Sequence, residues 1–117
     1  MKMLKVSELK QMVKLNGGFS VSPNGDTPKS GFMVSVKDLY KINLDIIDQD
    51  DVNFASDIAK EVDGYIGGWL DTQSDSPFNF YMDISINIQD KEQALKIAKE
   101  NEQLAIYDVV NGESIYL

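Results

Sequence analysis

Residues 45–51 read Asp-Ile-Ile-Asp-Gln-Asp-Asp, four carboxylates in seven positions with no cation among them. Such crowding calls for a metal ion, a helix start, a basic partner or water to compensate it. A calcium loop needs oxygen ligands at alternating positions and a glycine for its sharp turn. Counting from Asp48, the fifth, sixth and twelfth positions are Val52, Asn53 and Ala59, so no register gives an EF-hand. A looser magnesium site, as in a carboxylate-dependent metal enzyme, stays as an alternative. The expectation is that no metal or cofactor is bound.

A helix start accounts for part of the cluster. Asp50 or Asp51 is expected to cap a second helix and oppose its macrodipole, worth roughly 0.3–1 kcal/mol each at an exposed site. On that helix Asp57 and Glu61 stand four residues apart, a like-charge pair costing about 0.2–0.5 kcal/mol. Asp63, Asp71 and Asp75 extend the patch. Asp45, Asp48, Asp50, Asp51, Asp57, Glu61, Asp63, Asp71 and Asp75 therefore form a candidate partner-binding face, with carboxylates standing in for phosphates, or else a face that only keeps the protein soluble.

The composition removes most catalytic chemistry. The chain has no histidine, no cysteine and no arginine among its 11 basic residues. Disulfides, thiolate nucleophiles and sulfur zinc sites are excluded, and the commonest general base and the best phosphate clamp are missing. Ser7, Ser20, Ser22 and Ser85 have no histidine to activate them. The expectation is a protein that is not an enzyme.

Net charge is −8, concentrated in residues 42–90, where one lysine faces eleven acids. A field of that sign repels nucleic acid and anionic membrane and attracts basic protein surfaces. With no long apolar run, and no signal-peptide pattern in the first ten residues, the chain is expected to be soluble and cytoplasmic. A second candidate contact surface comprises Trp69 with Tyr81 and Asp83 on the polar face of one strand, together with the final hairpin at 104–117. Gly67-Gly68 reads as a bulge or close packing around the indole rather than a phosphate loop.

The elements that position these residues follow from periodicity. Ser7 reads as the cap of a first helix that stops at Asn16-Gly17-Gly18. Strands are expected at 19–22 and 31–36 around a Gly/Pro loop, with 40–44 as a third, edge-like strand. Phe54, Ala55, Ile58, Ala59 and Val62 form the apolar stripe of the second helix, which ends near Gly64. Phe78, Phe80, Met82, Ile84, Ile86 and Ile88 alternate with mostly polar residues, a strand with one wet face. Asp90 with Gln93 reads as a capping box for a third helix, with Ala94, Leu95, Ile97 and Ala98 inward. Asn111-Gly112 reads as a two-residue type I′ turn. Together these predict a single α+β domain over residues 1–117, about three helices on an antiparallel or mixed sheet of five to seven short strands.

One run also resembles a family. Gly67-Gly68-Trp69, Asp71, Tyr81, Asp83, Ser85, the Asp90 cap with Ala94, and Asn101, Gln103, Ala105, Ile106 and Asp108 resemble an uncharacterised family of small acidic proteins encoded by bacterial phages and integrative elements. The likeness covers about residues 67–117, with fainter echoes in Gly17-Gly18-Phe19 and Pro28 to Phe32. It implies no active site. What it implies is a binding protein of a mobile element, such as an anti-CRISPR or anti-restriction inhibitor that occupies the basic groove of a host nucleic-acid-handling defence enzyme.

Overall fold

A computed structural model describes residues 4–117; residues 1–3, included above in the single domain, lie outside the described residues. The chain order is α1 (Val6–Asn16), β1 (Gly18–Val21), β2 (Phe32–Ile42), α2 (Gln49–Glu61), β3 (Tyr65–Leu70), β4 (Phe80–Ile88), α3 (Lys91–Glu100), β5 (Ala105–Asp108) and β6 (Glu113–Tyr116). Six strands form one sheet in the order β1-β3-β4-β2-β5-β6, and every neighbouring pair is antiparallel. The architecture is α+β, as the periodicities predict.

All three helices cover the same face. Strand β4 sends Phe80, Met82 and Ile84 into a core shared with α1 and α2, while Ile86 and Ile88 pack in a second core with Val34, Ile106 and the Ala94 and Ala98 face of α3. Because alternate residues of a strand share a face, the two cores lie side by side on one side of the sheet. Phe78, predicted to head this series, falls before β4 and is exposed, since the ladder begins only at Phe80.

The largest departure from expectation is in β2. Segments 31–36 and 40–44 fall largely in one strand: Phe32 and Met33 pair with both β4 and β5, whereas Tyr40, Lys41 and Ile42 pair with β4 alone and so keep an edge-like side, and Leu44 already opens a single 3-10 turn. The alternation slips because two extra residues interrupt the pairing with β4. Ser35 opposes Ser85 but Lys37 opposes Ile84, and Asp38 opposes Asp83 but Tyr40 opposes Met82. Each bulge resets the two-residue phase and tightens the local twist. Nor does β1 pair with β2; it pairs with β3.

The helix caps also differ in detail. Ser7 does not cap α1. Gln49, from the start of α2, accepts from Val6 N–H at 3.0 Å and donates to the Leu4 carbonyl at 2.7 Å, so one helix satisfies the start of the other. Neither Asp50 nor Asp51 is the cap of α2. Asp48 is, accepting from Asp51 N–H at 3.0 Å, while Asp51 Oδ2 accepts from Asp48 N–H at 3.1 Å, which makes a reciprocal box with aspartate in both places. The buried stripe of α2 is Val52, Ala55, Ser56 and Ala59, rotated from the predicted one, leaving Phe54 and Val62 exposed.

Asp90 caps α3 through Glu92 N–H at 3.2 Å, without a reciprocal bond from Gln93. The last connection is a four-residue loop, 109–112, rather than a two-residue turn, because Asp108 and Glu113 are the closing pair. Asp108 sets it, accepting from Asn111 Nδ2 at 2.7 Å and Asn111 N–H at 3.2 Å. Gly112 alone of the pair takes positive φ, +66°.

Ile84→Asp places a charge at a fully buried position between two covered strands. It is expected to cost more than about 4 kcal/mol and leave the domain unfolded. Asp48→Ala, which removes a cap at an exposed site, is expected to cost about 1 kcal/mol. Urea denaturation followed by circular dichroism distinguishes the two.

Candidate functional site

The face of the sheet opposite the helices is uncovered and holds a groove of about 830 Å³. Register decides which side chains reach it. Trp69 on β3 lies opposite Tyr81 on β4, and Tyr81 lies opposite Lys41 on β2. The indole and phenol rings are 5.3 Å apart between centroids at an interplanar angle of 30°, and Lys41 Nζ stands 5.5 Å from the centre of the Tyr81 ring, close enough for a cation–π contact. Trp69 is 55% exposed, high for the only tryptophan of the chain.

Two residues further along β3 and β4, and three along β2 because of its bulge, Gly67, Asp83 and Asp38 form the next outward row. A Cβ on Gly67 would collide with the Asp83 carboxylate, so glycine is required for the carboxylate to lie across β3. Gly68 serves the inner face in the same way: a Cβ there would fall 2.3 Å from the Phe19 ring and 2.9 Å from that of Phe80. The expected close packing at the glycine pair is present, but against phenylalanines and a carboxylate rather than the indole. β3 runs without a bulge.

Asp83 is half-buried, and burial pushes its carboxyl above the ordinary aspartate range. The hydroxyls of Ser35 and Ser85 oppose the rise by favouring the carboxylate, and the negative charge of Asp38 adds to it. Ser85 Oγ donates to Asp83 Oδ1 at 3.3 Å. Ser35 Oγ stands near the same carboxylate yet is buried without a well-formed hydrogen bond. Below this row Met33 and Tyr107 oppose each other across β2 and β5, and Leu104, 82% exposed, forms part of the groove wall.

The structure therefore brings Trp69, Tyr81 and Asp83 together and adds Asp38, Lys41, Ser35 and Gly67. Gly67 was marked in the sequence only for close packing, and nothing there marked Asp38, Lys41 or Ser35, because the bulges hide which residues of β2 face outward.

The nine acids of the other candidate face do not converge, and none of them lines the groove. Asp48 and Asp51 are occupied by the α2 cap. Asp51, with Asp48, also acts on Tyr40, whose hydroxyl is raised above its ordinary value first by desolvation and then by those two charges. Asp71 Oδ1 accepts from Gln73 N–H at 3.0 Å in the β3–β4 loop. Asp63 takes a left-handed φ of 53° just after α2. Asp45 lies in a single 3-10 turn, its carbonyl accepting from Lys10 Nζ at 3.3 Å. Asp50, Asp57 and Glu61 remain as an exposed stripe along α2, and Asp75 is exposed in the loop. Among the described residues no three acidic side chains are grouped so as to hold a metal ion.

No protein family, curated protein or solved structure compared with the chain matches it. The fold and groove define a class in physical terms, a small α+β protein with one sheet face covered by helices and the other left open.

The raised Asp83 carboxyl sets a pH dependence. In the unfolded chain the group ionises near 3.8, whereas in the native protein it holds its proton to higher pH. The native state then binds more protons in that interval, so wild-type stability falls as pH rises through it and stays lowered above it. Asp83→Asn carries no such cost. It is expected to be more stable than wild type at pH 7, with the difference shrinking as pH falls towards 3.8 and smallest below it. Asp108, held below the usual range by Asn111, contributes equally to both proteins and cancels. Paired urea titrations from acid to neutral pH measure the difference.

Proposed function

We propose that this chain is a non-catalytic binding protein whose contact surface is the open face of its sheet. The observation that carries this reading is the gathering of Trp69, Tyr81 and Asp83 in one groove that none of the nine patch acids enters. Exposed aromatics beside a polar, part-buried group are the usual anchors of protein interfaces. Gly67, Trp69, Tyr81, Asp83 and Ser85, among the residues that carry the likeness to small phage and integrative-element proteins, line the groove, while Asp71, Asp90, Ala94, Asn101 and Asp108 lie outside it. That supports a mobile-element context, and the net charge of −8 favours a basic partner, such as a host nucleic-acid-handling defence enzyme.

A second reading rests on Asp50, Asp57 and Glu61, which project along one exposed side of α2. There they would stand in for phosphates, with the groove taking no part.

A pull-down from bacterial lysate separates the two. Trp69→Ala with Tyr81→Ala should lose a partner that wild type retains, since truncating an aromatic anchor costs about 2 kcal/mol or more. Asp50→Asn with Asp57→Asn and Glu61→Gln should retain it, with binding slower and less sensitive to salt. The opposite pattern would assign the contact to α2.

A further inference from the structure

We propose that the groove receives a cationic side chain, a lysine or arginine on an extended basic segment of the partner, with Asp38 and Asp83 as its counter-charges and the Trp69 ring beside it. This rests on the open face being the contact surface and specifies what that surface takes.

Asp38 and Asp83 are directly paired on neighbouring strands, an arrangement in which like charges repel. Asp38 is the charged group that bears on Asp83. On its other flank β3 presents the backbone of Gly67, and the nearby cation of the same face, Lys41, lies over Tyr81. The Asp83 carboxylate is thus half-buried next to a like charge, with one serine hydroxyl donating to it at 3.3 Å. Ser35 Oγ, in the same wall, is buried beside that carboxylate without a well-formed hydrogen bond, which leaves room for a further donor at this point of the groove.

The chemistry of the occupant follows by elimination. An anion would be repelled. An apolar group would complete the desolvation of Asp83 and leave its charge uncompensated. An ammonium brings positive charge with three donors and a guanidinium five, enough for two carboxylates and a hydroxyl, and either rests favourably on an indole face. The groove volume of about 830 Å³ also leaves room for residues flanking that side chain, towards Tyr107 and Leu104. A protein segment, rather than a free small amine, would fill it.

Trp69, the sole tryptophan, is a built-in reporter. The probe is an end-capped peptide of alternating threonine and lysine, titrated against the full chain by Trp69 fluorescence and calorimetry, with its lysine-acetylated form as control. Wild type should bind the lysine peptide saturably and the acetylated one not at all. Asp38→Asn with Asp83→Asn should weaken binding about tenfold or more, a loss of roughly 1.4 kcal/mol. Asp50→Asn with Asp57→Asn and Glu61→Gln should leave the affinity within about twofold of wild type at 0.15 M salt, where the Debye length is about 8 Å.

Equal affinity for wild type and the Asp38/Asp83 variant, equal weakening by the α2 variant, binding of the acetylated peptide, or no binding to wild type would each overturn the assignment. A partner lost on Trp69→Ala with Tyr81→Ala but kept on Asp38→Asn with Asp83→Asn would overturn the cation site alone and leave the open face as the contact surface.

Discussion

The pairing of β2 with β4 is the constraint on which the rest of the molecule depends. β4 supplies the inward residues of both cores, and β2 is the strand that joins the β1-β3-β4 half of the sheet to the β5-β6 half. Both bulges lie in this one pairing. A bulge adds a residue to one strand without adding one to its partner, so the longer strand must bend and twist. Two within four residues of β4 turn the outward face of β2 relative to its neighbours and bring Ser35, Asp38 and Lys41 to the same groove as the β3 and β4 residues.

Gly67 and Gly68 show how closely the two faces of the sheet are coupled. Adjacent strand residues point to opposite sides. Here one glycine leaves space for Asp83 on the open side and the next leaves space for the Phe19 and Phe80 rings in the core. A side chain at Gly68 would push the aromatic core apart, and one at Gly67 would displace the carboxylate. Packing and site geometry are thus set by the same two residues, although they belong to different faces.

The two groups of acids differ in what the fold does with them. Asp48 and Asp51 stabilise α2 by satisfying its free N–H groups. Asp38 and Asp83 repel each other, and burial works against ionisation of Asp83, which the hydroxyls of Ser35 and Ser85 oppose. That cost stands inside the groove rather than at random on the surface.

Local periodicity by itself determined the three helices and the inward face of β4, because each rests on interactions between residues near one another in the chain. Asp90 was legible as a cap for the same reason. The cap of α2 was misplaced by two or three residues, since four aspartates offered several equivalent starts and only the packing of Val52 and Ala55 selects one. β2 read as two strands because a bulge exists only relative to a partner, and β4 lies more than forty residues further on. The candidate site suffered the same limit. Tyr81 and Asp83 could be placed on a wet face from alternation alone, whereas Trp69 joins them through the register of β3 with β4. That Asp38 opposes Asp83, and that Lys41 is already committed to Tyr81, follow from register across the sheet, which tertiary structure alone decides, because it depends on residues distant in sequence being held in contact.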